Sequence, residues 1–336
     1  MWLYALIGAG GLAFVGGIIL GLEAWTWGAL VVGILFWLGV AQGQVIFRAM
    51  VSLSNGRWSR SFQPIAQSGA RFVPWGTGLL VLMLLTHRWW LPTESLSPRK
   101  MAWLSSGALL VRDGGLAIVL AWLSLRFMGS ASPTVHRPGQ AVRLILLFAL
   151  TYSLLAFDLI AIPSEWDSTL FGAYFFIGAV LGGMAMTLLV TYVQPAPEAP
   201  SIEAWHDFGK LFFGFSSLWA YLFWSQYLTI WFGNLPHETD FVVRRLWEAP
   251  WAPVSWSAGL CLWGIPFLML LGRAPKRHPG FLAAVATLVL LGLLLERAVL
   301  VLPLVVTPQA VSPVGVVLAA FILAALSGGY WISIGW

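Results

Sequence analysis

Arg112 and Asp113 stand inside one apolar run of this chain, Asp158 inside the next, and Glu296 with Arg297 inside a later one. A charge at bilayer depth is unstable unless it reaches water, an interface or a partner, so each is a functional candidate by default. Buried carboxylates suit proton movement, because burial favours the neutral acid and lets one group both accept and release a proton. The same residues could instead pair between helices, Arg112 with Asp158 for instance, neutralising two charges and fixing the packing. Both roles stay open at this level. Neighbours in sequence point about 100° apart on a helix, so Arg112 and Asp113 are not expected to satisfy each other face to face.

A second set of titratable groups brackets residues 206–245, HDFGKLFFGFSSLWAYLFWSQYLTIWFGNLPHETDFVVRR, an aromatic, membrane-length run. At its start Asp207 and Lys210 have the i,i+3 spacing of a local salt bridge, and Asp207 near a helix N-terminus suits the macrodipole. Beyond the apolar helix of that stretch, about 208–233, Asn234, Glu238, Asp240, Arg244 and Arg245 form a short charge-balanced loop. Such a loop serves as a solvated connector, a partner-docking point or a proton outlet.

Metal and cofactor chemistry is narrowly bounded. An iron–sulfur cluster takes four cysteine ligands, and the chain has one, Cys261, in an apolar run. A bis-imidazole haem needs two facing histidines within the bundle, whereas His87, His136, His206, His237 and His278 fall in loops or at the ends of runs. Neither the zinc-protease pattern HExxH nor a phosphate-cradling loop occurs. No cofactor is expected on this chain, and any redox chemistry it serves must run through partner subunits.

The elements that carry these residues are membrane spans. Hydrophobic residues make up 59% of the 336, charged residues 9%, and mean hydropathy is +0.84, the composition of an integral membrane protein. A span needs roughly 20 predominantly apolar residues. Ten candidates meet that: about 2–22, 27–50, 72–91, 102–127, 141–162, 168–193, 208–233, 252–272, 280–302 and 313–335. The expected fold is an all-α polytopic bundle of about ten transmembrane helices, one membrane domain over 1–336. Residues 1–22 lack a preceding Lys or Arg and a convincing cleavage site, so they are expected to be the first span and not a secretory signal. Between spans, SNGRWSRSFQPIAQSGARF is expected to lie along the surface as an amphipathic piece, and QPAPEAPSIEAW is a Pro-rich linker.

Arg48, Arg57, Arg60, Arg71, Arg126, Arg137, Arg143, Lys210, Arg273, Lys276 and Arg277 fall on the side carrying both termini. Arg88, Arg99, Lys100, Arg244 and Arg245 fall on the other. The positive-inside rule then puts both termini in the cytoplasm and accounts for the net charge of +5 without any nucleic acid. Trp25, Trp27, Trp89, Trp90, Trp166, Trp205, Trp247 and Trp251 near span ends are expected to form aromatic belts.

Several stretches resemble one family in order and spacing: WLGVAQGQVIFRAMVSLSNGRW, SEWDSTLFGAYFFIGAVLGG, HDFGKLFFGF followed by LWAYLFWSQYLTIWFGNLPHET, and PFLMLLGRAPKRHP. The family is the second polysulfide-reductase-type (NrfD-like) membrane subunit of alternative complex III. The resemblance covers about residues 28 to 303, and its Asp-x-Gly-Lys to Pro-x-Glu-Thr block is specific. Arg112 falls where the family carries an Arg in its fourth span, and Asp158, Asp207, Lys210 and Glu238 match. The chain departs at Val51 and Ser52, where the family tends to carry two histidines. It departs again at Leu295, Glu296, Arg297 and Ala298, where the family tends to carry Leu-Asp-Leu-Tyr.

The resemblance implies a cofactor-free, non-catalytic subunit of a quinol-oxidising respiratory or photosynthetic complex in the inner membrane. Partners would be a related NrfD-like membrane subunit together with iron–sulfur and multihaem cytochrome c subunits, which carry the clusters and c-type haems. Quinol is the complex's substrate. This chain would act as scaffold and proton conduit, protons passing between Asp207 at the cytoplasmic end and Asp158, Glu238 and Glu296 at the other. Two alternatives stand beside it: a subunit with its own quinone site, which needs an apolar pocket with converging polar groups, and a stand-alone secondary transporter, which needs discontinuous midplane helices.

Overall fold

The helix Glu23–Leu53 is buried along nearly its whole length, and the other helices are arranged around it. A computed structural model describes residues 1–94, 96–129, 138–166, 168–194 and 199–336, without the side chain of His237. His136 and Arg137 lie outside the described residues, as does part of the Pro-rich linker. In chain order the helices are α1 (Trp2–Ile19), α2 (Glu23–Leu53), α3 (Arg57–Leu85), α4 (Ser106–Gly129), α5 (Pro138–Ala161) and α6 (Phe171–Val193). There follow α7 (Ile202–Gly233), α8 (Pro236–Leu246), α9 (Trp251–Met269), α10 (Pro279–Val305) and α11 (Pro313–Ser333). No strand occurs among the described residues.

Nine of these, α1 to α6 and α9 to α11, are long and apolar enough to cross a membrane. The protein is an all-α polytopic membrane helix bundle. At 32 residues α7 has ample length, but its Trp, Tyr, Ser and Gln side chains lower its hydropathy. Ser201 caps its start by accepting from the Ala204 N–H at 3.1 Å. Its end is Asn234 in the left-handed conformation, φ 43°, one of the few residues suited to that stop. The outward face carries Tyr221, Trp224, Trp231 and Phe232, all exposed.

Close packing of α2 depends on two glycines. A Cβ on Gly43 would run into the backbone of Ala179 and Gly183 in α6, and a Cβ on Gly183 would run into the backbone of Gly43. The two helices therefore touch backbone to backbone, the small-residue contact that drives association where lipid removes any hydrophobic drive between helices. Around it α2 also packs on α3, α5, α10 and α11. Polar side chains cross-link these contacts: Tyr330 of α11 donates to Gln44 Oε1, and Ser124 of α4 donates to Gln42 Oε1 at 2.9 Å.

The structure departs from the sequence reading in three places. Residues 57–71, expected on the surface, are the first turns of α3, with Phe62, Ile65, Ala66 and Ala70 buried. Phe62 packs edge-on against Phe208, which stacks on Phe47. Arg57, Arg60, Gln63 and Gln67 dilute the hydropathy of that segment while its apolar face is fully used. The fourth span starts at Ser106 after a break, so Arg112 and Asp113 lie in its first third and not near its middle. Among the tryptophans, Trp25, Trp90, Trp166, Trp205 and Trp251 are buried, whereas Trp89 and Trp247 are exposed as a belt requires. Trp25 and Trp90 each donate their indole N–H to a backbone carbonyl, of Ala310 and Met83, so they anchor the core.

Candidate functional site

Two short π-helical segments build the first charge cluster. Leu110–Gly114 in α4 carries Arg112 and Asp113, and Phe157–Ala161 in α5 carries Asp158. Such bulges turn side chains off the regular helical register and recur at functional sites. Arg112 reaches Asp158 Oδ2 with Nε at 2.9 Å and Nη2 at 2.6 Å, and the same Nη2 lies 3.2 Å from Asp113 Oδ2. Trp103, at the end of the helical turn Pro98–Trp103, donates its indole N–H to Asp158 Oδ1 at 2.7 Å and lies under the guanidinium.

The Arg112–Asp158 pairing, one of the two arrangements left open by the sequence, is present, and so is the Arg112–Asp113 contact that the 100° rule disfavours. A long arginine wraps around the bulge to reach both acids. Asp113 and Asp158 are 0% and 1% exposed, while Arg112 keeps 18% of its side chain accessible. One guanidinium thus faces two carboxylates. Asp158 receives three donors, the Trp103 indole N–H and two guanidinium N–H groups of Arg112. Asp113 Oδ1 meets no donor.

The second cluster sits on α10, in regular helix. Arg297 Nη1 lies 2.6 Å from Glu296 Oε2, its Nη2 donates to the Phe175 carbonyl at 3.1 Å, and its guanidinium covers the Phe175 ring. Both side chains are at most 5% exposed, and Tyr174 lies alongside Glu296. Here one acid meets one base, again between sequence neighbours.

Farther along α10, Pro303 lacks the N–H that would bond the Val299 carbonyl. Arg245 of α8 supplies the missing donor: its Nε reaches Val299 O at 3.1 Å and its Nη2 reaches Leu300 O at 3.2 Å. Burial, with Arg244 beside it, holds the Arg245 guanidinium below its ordinary pKa. From sequence alone Arg245 is only a loop charge. A proline in a span followed by the question of which donor serves its freed carbonyl is the signal that finds it.

The remaining candidates lie elsewhere. Asp207 and Lys210 form the expected i,i+3 bridge at 2.6 Å, with 37% and 56% of their side chains exposed. Glu238 stands on the first turn of α8, half-buried. The seven sequence candidates therefore separate into the Arg112–Asp113–Asp158 cluster, the Glu296–Arg297 pair, the Asp207–Lys210 surface bridge and Glu238. Among the described residues, no three His, Cys, Asp or Glu side chains converge as a metal site would require. No family model matches the chain, and no curated protein matches it.

Proposed function

We propose that this chain is a multi-pass inner-membrane subunit, both termini cytoplasmic, of a quinol-oxidising electron-transfer complex of the alternative complex III type. It acts as a scaffold and proton conduit. Its partners are a related NrfD-like subunit and the iron–sulfur and multihaem cytochrome c subunits that hold the redox centres. The observation that carries the proton role is the Arg112–Asp113–Asp158 cluster: two buried acids facing one base, with 18% of the Arg112 side chain accessible. Intramembrane carboxylates in such settings mark proton relays. The sequence resemblance carries the choice of complex, and the single cysteine fits a subunit without its own cluster.

A quinone site within the chain is the weaker reading. An open groove of about 530 Å³ between α1 and α11 is lined by Leu12, Ala13, Pro313, Val317 and Phe321 among others, all apolar. It offers no side-chain donor for a quinone carbonyl.

The native complex decides between the classes. Co-purification with iron–sulfur and multihaem subunits, seen as a mass-spectrometric subunit set with a haem spectrum, supports the proposal. A solitary chain that carries a solute refutes it. For the proton role, a reconstituted complex with Asp158→Asn and Glu238→Gln loses part of its proton-to-electron ratio; a full ratio sinks that role.

A further inference from the structure

Basic side chains gather where α7 begins and where α9 gives way to α10. His206 and Lys210 stand in the first turns of α7, and Arg273, Lys276 and Arg277 in the short connection between α9 and α10. The turn Arg273–Lys276 packs on α7. At Gly209 an added Cβ would lie 3.0 Å from Lys276 Cβ and 3.1 Å from its Cγ, so the lysine stem rests on the α7 backbone. Lys276 is 8% exposed, and its Nζ donates to the Leu270 carbonyl at 2.6 Å and the Leu271 carbonyl at 3.4 Å.

Two acids enter this group. Asp207 holds Lys210 at 2.6 Å and Glu203 holds Arg277 at 3.2 Å, both pairs being exposed. Among the described residues neither Arg273 nor Lys276 has a carboxylate partner. The patch therefore keeps two cations more than its acids neutralise. Arg273 is exposed. Beside it all His206 Nδ1 is buried and meets no hydrogen-bond partner, with Lys210, Lys276 and Arg277 near enough to act on the ring.

The positive-inside rule accounts for basic residues on this side of the membrane, but it asks nothing of their arrangement. It does not require a lysine drawn out of water beside other cations, which burial and like charge both oppose. An anion at the patch offsets that cost. The position says which kind. The span α9 ends at Met269, so the cations just beyond it fall at the level of the lipid headgroups. Leu268 and Leu271, immediately before Arg273, are 73% and 63% exposed. A surplus of positive charge bordered by open apolar side chains matches a molecule that is anionic at one end and hydrocarbon at the other. Free phosphate uses only the first half.

We propose that this patch binds the phosphate headgroup of an anionic glycerophospholipid, its acyl chains lying against Leu268 and Leu271. Arg273 supplies the planar fork that bonds phosphate oxygens in pairs. Lys276 supplies a fixed charge behind it, and Lys210 a second, mobile one. The site is independent of the proton role and of the choice of complex, and either can fail with the lipid site intact.

The test titrates phosphatidylglycerol into the purified full chain in neutral detergent and counts bound lipid by native mass spectrometry. Phosphatidylcholine with the same acyl chains is the uncharged comparison, and inorganic phosphate the headgroup without chains. Phosphatidylglycerol binds more tightly than phosphatidylcholine, and Arg273→Gln weakens it by about five-fold, the effect of one basic residue near an anionic lipid. Arg273→Lys retains most of the binding, Lys210→Gln lowers it by a smaller factor, and phosphatidylcholine binding is unchanged throughout. Arg57→Gln with Arg60→Gln removes two exposed cations on the same side and leaves phosphatidylglycerol binding intact. Equal binding of the two lipids overturns the proposal. So does an equal loss in the Arg57 and Arg60 variant, which would mean diffuse attraction to this whole side, and so does displacement of the lipid by millimolar phosphate, which would mean a site for the free ion.

Discussion

Two buried clusters of this bundle use the same chemistry in opposite ways. At α4 and α5 one guanidinium faces two carboxylates, on π-helical bulges, with Arg112 partly open to solvent. On α10 one guanidinium faces one carboxylate, in regular helix and closed from solvent. The first has one acid more than its base can neutralise. The second matches one acid with one base, although Glu296 Oε1, like Asp113 Oδ1, meets no donor. The difference in charge balance, two acids to one base against one to one, is what puts the first cluster ahead of Glu296 in the proposed proton role.

The sharpest way to break this contrast is to remove the base from each cluster. Arg297→Met leaves Glu296 buried and uncompensated, and the expected loss is about 3–5 kcal/mol. Thermal unfolding in detergent measures it. Glu296→Leu combined with Arg297→Met recovers most of that loss, since replacing a buried ion pair with apolar packing is often neutral. If the double variant is as unstable as the single, the pair does more than fix packing.

Asp158→Asn is the next largest. It removes the charge that receives two Arg112 contacts, at an expected loss of about 1.5–3 kcal/mol. The guanidinium is then left with Asp113 as its one carboxylate partner in the cluster. The surplus acid of the unmodified cluster is expected to hold a proton, and infrared spectroscopy should show its protonated-carboxyl C=O stretch and the loss of that stretch in Asp158→Asn. Asp113→Asn removes the same band but lowers stability by less than about 1 kcal/mol, because an amide closely replaces a neutral acid in shape and polarity. Glu296→Gln leaves the band in place. A band that survives Asp113→Asn would place the proton elsewhere.

Much of this is legible in the sequence, for physical reasons that also explain what is not. Apolar runs of membrane length leave no alternative to spanning helices, and an Arg and an Asp in adjacent spans have few partners besides each other. The Arg112–Asp113 contact escapes because angular spacing locates Cα–Cβ directions, while a long arginine on a bulge reaches around them. Burial of residues 57–71 escapes because an average over Arg57, Arg60 and Gln67 hides the face made by Phe62, Ile65 and Ala70. The Arg245 clamp escapes because a loop charge and a helix proline sit 58 positions apart in sequence, Arg245 against Pro303, and only packing joins them.

The Asp207–Lys210 bridge provides the smallest effect and the clearest baseline. Its short distance of 2.6 Å invites a large energy, but 37% and 56% of the two side chains remain exposed. Water screens such a pair, and holding two flexible side chains together offsets much of the attraction. Lys210→Met should therefore lower stability by no more than about 0.5 kcal/mol, and less at high salt. An effect approaching that of Arg297→Met would mean that this end of α7 is covered by a partner subunit in the complex. The bridge would then be a buried charge pair like the one on α10.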